Sequence, residues 1–188
     1  MREATSNDKK TVVEIISASF DTNKSINYVV KQDQKRSKRI KLLINYSFYK
    51  GMRFGKIYLS SDKKAACILL ESNKKKTTLG GLLWNLNLAI NCIGLRRVSP
   101  VSKREKILKQ NHPNENFIHL WYLGVDPRSQ HQGIGSEFLK EILEKHKKSP
   151  VYLETSSLTN IPFYQKFGFY ITKKIDLGYD LFIMRKNA

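Results

Sequence analysis

Residues 130–135 read Gln130-His131-Gln132-Gly133-Ile134-Gly135. They lie between an apolar, strand-like run, Phe117 to Val125, and an amphipathic, helix-like run, Ser136 to Lys147. A Q-x-x-G-x-G turn at such a junction constrains this chain more than any other segment. The strand delivers the backbone to a turn, and the glycines allow close approach and positive φ. The first helical N–H groups then point, unpaired, at whatever anion docks there. The pattern suits a nucleotide-like ligand carrying a pyrophosphate. It also suits an ordinary strand-to-helix connection that uses glycine for tight packing. The dinucleotide fingerprint fails, because Phe138 stands where its third glycine belongs and no acidic residue closes a second βαβ unit. The Walker pattern fails too, because no Gly-Lys-Ser/Thr follows.

A chain of 188 residues suits a single domain, 1–188, with a real core. Its net charge of +18 first suggests nucleic acid. The bases, however, are mostly lysines dispersed along the chain. The runs Lys35-Arg36-Ser37-Lys38-Arg39, Lys74-Lys75-Lys76 and Lys145-His146-Lys147-Lys148 fall in loops and on polar helix faces. No RNP pattern, zinc finger or helix-turn-helix accompanies them, so no specific nucleic-acid partner is expected. A lysine-biased composition explains the excess, and a polyanionic cofactor would gain from its field.

The two cysteines, Cys67 and Cys92, make neither a metal-ligand spacing nor a disulfide framework. The four histidines, His112, His119, His131 and His146, show no H-x-x-x-H pairing, so no metal is expected. Met1 to Lys10 is too polar for a signal peptide. The longest apolar stretch, Leu79 to Leu95, is broken by Asn85, Asn87, Asn91 and three glycines, too polar to span a bilayer. These features predict a cytoplasmic protein without a membrane partner.

Apolar spacing predicts helices over Thr11–Phe20, with Asp8 as cap, and over Ser37–Tyr49, after which Gly51 and Gly55 break the chain. Lys56–Ser60 and Lys64–Glu71 read as a hairpin whose second strand is buried on both sides. Leu79–Ile93 reads as a buried helix, Val101–Gln110 as another, and 111–116 as a polar loop. From Phe117 the order is strand, helix, strand (Val151–Thr155), short helix (Ile161–Phe167) and two strands (Phe169–Lys174, Leu181–Arg185).

Two blocks of the C-terminal half resemble the GNAT superfamily of acetyl-CoA-dependent N-acetyltransferases. The first is Leu120 to Phe138, an apolar strand, Val125-Asp126-Pro127, then Q-x-x-G-x-G. The second runs from Leu153-Glu154-Thr155 through Asn160 and Tyr164 to Gly168-Phe169, and is similar to the corresponding segment of puromycin N-acetyltransferase-like, small-molecule-modifying members. The resemblance implies an α/β fold with a mixed, mostly antiparallel central sheet splayed between two strands and helices on both faces. It implies an acceptor-side half, 1–116, and an acetyl-CoA-binding half, 117–188.

The cosubstrate so implied carries a pyrophosphate and a pantetheine arm with amides. Backbone N–H groups over Gln132, Gly133, Ile134, Gly135 and Ser136 would take the pyrophosphate, helped by the helix dipole. Gln130, His131 and Arg128 stand beside it, Arg128 serving equally as a solvated turn residue. By resemblance, Leu123, Gly124 and Val125 pair with the pantetheine amides, a strand addition by a cofactor. Asn160 bonds the same arm, or starts a helix before Ile-Pro. Phe163 lies beside it. Tyr164 stands where the family keeps a phenol that protonates the leaving thiolate, or else is a core aromatic. Glu154, and after it His119, are candidate bases for the acceptor amine, either of which can be structural. The resemblance thus implies an acyltransferase acting on a primary amine, of a small molecule first and of a protein N-terminus or lysine second. A non-catalytic CoA-binding domain and a homodimer stay open.

Overall fold

The apolar run at 65–70 is buried on both sides because it forms an inner strand, β3 (Ala65–Glu71), with helices above and below it. The computed structural model describes residues 1–74 and 79–188. Lys75 and Lys76, read as part of a basic loop, lie outside them. Among the described residues seven strands form one sheet: β1 (Arg2–Glu3), β2 (Gly55–Leu59), β3, β4 (Ile118–Val125), β5 (Val151–Thr155), β6 (Tyr170–Asp176) and β7 (Asp180–Lys186). Their order across the sheet is β1-β2-β3-β4-β5-β7-β6. Every adjacent pair is antiparallel except β4 and β5, which run parallel. A parallel pair needs a long crossover, here the helix α6 described below.

Side-chain alternation along β3 feeds two cores. Ala66 and Ile68 face α1 (Lys9–Ser19) and α3 (Arg36–Phe54), joining Ile16, Ile44 and Phe48. Ala65, Cys67 and Leu69 face the other way, towards Phe138, Leu139, Ile142 and Leu143 of α6 (Ile134–Lys145). The remaining helices are α2 (Lys24–Val29), α4 (Leu79–Leu88), α5 (Val98–Gln110) and α7 (Asn160–Gln165). The mixed sheet with helices on both faces is the architecture that the family resemblance implied.

The register of β3 against β4 slips between Ile68 and Leu69, which pair with Tyr122 and Leu120. Trp121 is therefore an extra residue, a β-bulge. Because side chains alternate, one extra residue swaps the faces of everything beyond it. Leu120 belongs to the α6-side core, while Tyr122 belongs to the α1- and α3-side core.

Three local expectations need correction. Gly51 does not break the chain: α3 runs on to Phe54, and Gly51 sits buried inside it. A Cβ there would come within 2.8 Å of Ile68 and 2.9 Å of Ile57, so glycine lets the helix press onto the sheet. Asp8 makes no side-chain cap to α1, because its carboxylate accepts from Arg2 and from the Thr5 N–H instead. The segment read as a buried helix, Leu79–Ile93, divides into α4 and a π-helical turn, Ala89–Ile93, and much of its apolar surface is exposed. Leu79, Leu82, Leu83 and Leu86 point outward because the packed side is supplied by Gly81, Leu88 and Cys92. Sequence reading had no signal for α2 or for the two-residue strand β1.

Gly55 opens β2 where its neighbour β3 passes closest. A Cβ there would lie 2.0 Å from the Leu69 carbonyl oxygen, which is backbone and has no room to yield. Gly55→Ala should cost about 1–3 kcal/mol, the usual range for overpacking. Urea denaturation of the two proteins checks this; equal midpoints would show that the strands relax freely.

Candidate acetyl-donor site and acceptor cavity

After β4, Asp126 begins a short 3-10 turn, its carboxylate accepting the Arg128 N–H at 3.0 Å. The Arg128 side chain folds back onto the same carboxylate, at 3.1 and 2.8 Å. That pairing, with the Arg128 backbone bond, holds the Asp126 carboxyl down to about 2. Arg128 is thus committed to its turn neighbour in this structure. Gln130 is committed as well, its Nε2 donating to the Val125 carbonyl at 3.2 Å. Both side chains brace the end of β4.

The chain then turns through His131 (φ 62°) and Gly133 (φ 80°), both left-handed. Gly133 caps α6, and a Cβ built on it would meet nothing within 4 Å. Space is therefore open at the cap, and the left-handed backbone is what requires glycine. The Ser136 N–H already donates to Gly133 O at 2.9 Å, which leaves Ile134 and Gly135 ahead of the first helical bond. Gly135 lets the helix start lie against the strand, since a Cβ there would approach Val125 Cγ2 at 3.3 Å. A helix of 12 residues thus aims its N-terminus at an uncrowded turn.

β4 and β5 pair at only two positions, Ile118 with Val151 and His119 with Tyr152. Beyond them the strands part. Leu123, Gly124 and Val125 keep Cys67, Ala66 and Ala65 of β3 as partners on one edge and have no strand partner on the other. After β5 comes α7, packed on the α6-side core. Asn160 is its first residue and is exposed, its side chain making no hydrogen bond among the described residues. Tyr164 is buried within the α6-side core, its ring 5.1 Å from Phe163 and 5.6 Å from Phe169. Burial, with Cys67 close by, pushes its phenol well above the ordinary range, so it stays protonated.

On the opposite face of the sheet, His119 Nε2 lies 2.6 Å from Glu154 Oε2. His112 Nε2 lies 3.9 Å from the other carboxylate oxygen. Burial alone would raise the Glu154 carboxyl, but His119, with His112 and Arg104 further off, holds it well below the usual carboxylate range. This group opens on a cavity of about 1020 Å³ walled by α2, α3, α4 and α5, whose lining includes Phe20, Tyr46, Trp121 and Tyr122.

Residues 87–171 match the family model of the acetyltransferase (GNAT) domain. Those residues form an acetyltransferase (GNAT) domain. The protein is an acyltransferase, and its reaction is acetyl transfer from acetyl-CoA. Solved structures agree on the fold. An acetyltransferase of Corynebacterium glutamicum, described as histone acetyltransferase HPA2 and related acetyltransferase, is 15% identical with a TM-score of 0.72, covering 100% of this chain and 95% of that one. Arylalkylamine N-acetyltransferase 2 of Aedes aegypti is 14% identical with a TM-score of 0.62, covering 99% and 97%. The PaiA N-acetyltransferase of Thermoplasma acidophilum, in complex with coenzyme A, is 16% identical with a TM-score of 0.54, covering 100% and 97%.

In this GNAT protein the structure joins Glu154 to His119 and separates both from Tyr164 by the thickness of the sheet. Three cavity residues escaped sequence reading. His112 sits in a polar loop whose path no periodicity fixes. Arg104 reads as one more lysine-like charge on a helix, yet it is buried. Its Nε donates to Tyr179 Oη at 3.1 Å and its Nη2 to Ser25 Oγ at 2.5 Å, tying α5, α2 and the β6–β7 turn together. Trp121 was legible as a strand residue; the family resemblance implies a bulge towards the end of this strand, but not that Trp121 forms it.

Replacing Gly133 with valine should weaken coenzyme A binding at least about tenfold, because a β-branched residue in the left-handed region costs on the order of 1–3 kcal/mol and the cap would shift to escape it. Calorimetry with coenzyme A reads this directly, and an unchanged affinity would take the turn out of the donor site.

Proposed function

We propose that this GNAT enzyme acetylates a primary amine of a small molecule bound in the 1020 Å³ cavity. The observation that carries the proposal is the Glu154–His119 pair, an ionised carboxylate and an imidazole 2.6 Å apart on the cavity wall beside the parting strands. Such a pair takes a proton as one unit: the carboxylate orients the imidazole and stabilises its cation.

The donor-side residues divide the cosubstrate among them. The N–H groups of Gln132 to Gly135 hold the pyrophosphate at the start of α6, with His131 and Ser136 at the rim. The unpartnered edge of β4 at Leu123, Gly124 and Val125 pairs with the pantetheine amides, and Asn160 reaches the same arm from α7, beside Phe163. That a structurally similar N-acetyltransferase is in complex with coenzyme A supports coenzyme A as the ligand of this site.

The chemistry then runs through the chain's own groups. The acceptor amine gives its proton to the Glu154–His119 pair, directly or through water. Its nitrogen attacks the thioester carbon, and the carbon–sulfur bond breaks. The sulfur leaves as a thiolate facing Tyr164. In water a phenol of pKa ~10 protonates a thiolate of pKa ~8.5 uphill, by roughly 2 kcal/mol. Burial raises the Tyr164 phenol further and so adds to that cost. A thiolate in the same dry setting is destabilised alike, which offsets that added cost and leaves the transfer mildly uphill, to be completed by release of the thiol. The Tyr164 hydroxyl, free of other hydrogen bonds among the described residues, is the donor at hand.

A small molecule is favoured over a peptide because the cavity is a deep, largely apolar space walled by four helices, with Gly81, Asn85, Val101 and Leu108 in its lining. Cys67 and Cys92 are both free and buried, which supports a reducing compartment such as the cytoplasm. Dispersed lysines support no specific nucleic-acid partner.

Thiol release from acetyl-CoA with a panel of small amines and short peptides tests the acceptor class. Turnover confined to peptides would replace the small-molecule reading with N-terminal acetylation. Glu154→Gln and Tyr164→Phe should each lower kcat by about 10²–10⁴-fold while calorimetry finds coenzyme A affinity unchanged. Wild-type kcat in Tyr164→Phe, on an acceptor for which chemistry limits the rate, would return that side chain to the core.

The carboxylate also makes a prediction for acid. A depressed carboxyl contributes stability that is complete above the unfolded value and is lost as pH falls through the folded one. The stability advantage of wild type over Glu154→Gln should therefore shrink in acid and stay level above the usual carboxylate range. Denaturant midpoints measured across that span decide it, and a gap that grew on acidification would contradict an ionised Glu154.

A further inference from the structure

The outer side of α4 and the π-helical turn carries an unbroken apolar stripe. Leu79, Leu82, Leu83, Leu86 and Ile90 are exposed at 83, 52, 70, 59 and 52%. Their spacing sets all five within about 100° of helix surface. Directly opposite, Gly81, Leu88 and Cys92 are buried. Leu95, also exposed, extends the stripe past the turn. Five large aliphatic side chains standing together in water mark a surface that is covered in use.

Charge identifies the cover. From Ser72 to Arg104 the sequence contains no Asp or Glu and seven Lys or Arg. Arg97 and Arg104 are spent on internal bonds, the former to the Tyr28 and Val30 carbonyls. Lys74 is exposed before the stripe and paired with Glu71, while Arg96 and Lys103 are exposed after it. The neighbouring helix α3, held to α4 by Tyr46 and Tyr49 against Trp84, exposes Lys38, Lys41 and Arg53. A second copy of a chain with charge +18 would be repelled, whereas an anionic surface attracts it. The helical segment 79–93 is too short to cross a bilayer, which takes about 20 residues, but a leucine face edged with cations suits the interface of one.

We propose that this stripe lies in the interface of an anionic lipid membrane, with α4 parallel to the surface. The expectation of no membrane partner rested on the lack of a spanning segment, and lying on a bilayer is a different matter from crossing it. The inner side of the same helix lines the acceptor cavity through Gly81, Asn85 and Leu88, so docking would bear on the cavity wall.

Sedimentation of the 188-residue chain with vesicles tests this, using phosphatidylcholine alone and phosphatidylcholine mixed with phosphatidylglycerol. The triple variant Leu82→Asn, Leu83→Asn, Leu86→Asn keeps every charge and removes the stripe. Wild type should bind the anionic vesicles, and the triple variant should bind them at least about tenfold more weakly, since insertion scales with buried apolar area. Coenzyme A affinity equal to wild type establishes that the variant is folded. Leu83→Trp, which deepens the interfacial anchor, should bind more tightly than wild type. Absence of wild-type binding, or equal binding by the triple variant, overturns the proposal, the latter by reducing it to charge alone. A wild-type dimer that the triple variant turns into a monomer would assign the stripe to a second copy.

Discussion

The site exists because two parallel strands stay together for two residue pairs and then separate. β4 and β5 meet at Ile118–Val151 and His119–Tyr152 and share no later pair. An unpaired strand edge is ordinarily unstable, since its N–H and C=O groups lose their partners. Here each strand keeps an antiparallel neighbour on its far side: β3 follows β4 to Val125, and β7 follows β5 to Thr155. Those outer ladders hold both strands extended while the gap between them opens. The gap then offers a rigid, unsatisfied backbone edge at Leu123 to Val125, which an amide-bearing arm can complete with little ordering cost on the protein side.

The bulge at Trp121 sets what faces the gap. With regular alternation, the residues after Trp121 would stand on the faces opposite to those observed. The extra residue brings both Trp121 and Tyr122 to the side of the acceptor cavity and turns Leu123 and Val125 towards the α6-side core. It also brings Gly124 under α1, where a Cβ would lie 3.1 Å from Ser19 Cβ. One inserted residue thus provides the aromatic wall of the cavity and the close approach of α1 to β4.

The legible parts of this protein were those fixed by short-range chemistry. The glycine turn, the hairpin, the crossover helix and the closing strands each depend on residues within one element, and their positions in the sequence announced them. Glu154 and His119 were legible as candidates because each sits on a strand that the turn made recognisable. Their union at 2.6 Å was not, since it depends on the register of a parallel pair. His112 and Arg104 were invisible for a related reason: loop path and helix rotation decide whether a polar side chain meets solvent or a cavity. The leucines of α4 misled because apolar content on all sides of a helix reads as burial. Half of that surface faces the cavity and core, and the other half faces outward.

The sheet also divides the proposed proton transfers. An acid and a base set side by side would pair with each other: a phenol hydrogen-bonded to Glu154 would be spent before any thiolate formed. In the proposed mechanism, the parting of β4 and β5 lets both groups reach one point from opposite faces. On the α6 side Tyr164 has apolar neighbours, and burial drives its pKa up. On the cavity side Glu154 has imidazoles and a guanidinium, and they drive its pKa down against the pull of burial. Two titratable groups whose surroundings push them apart in this way are suited to opposite roles. A thioester held between the strands would meet the proton acceptor where the amine enters and the proton donor where the thiolate leaves. In the proposed mechanism, the same two-pair ladder that opens the sheet to the cosubstrate keeps the acid and the base from neutralising each other.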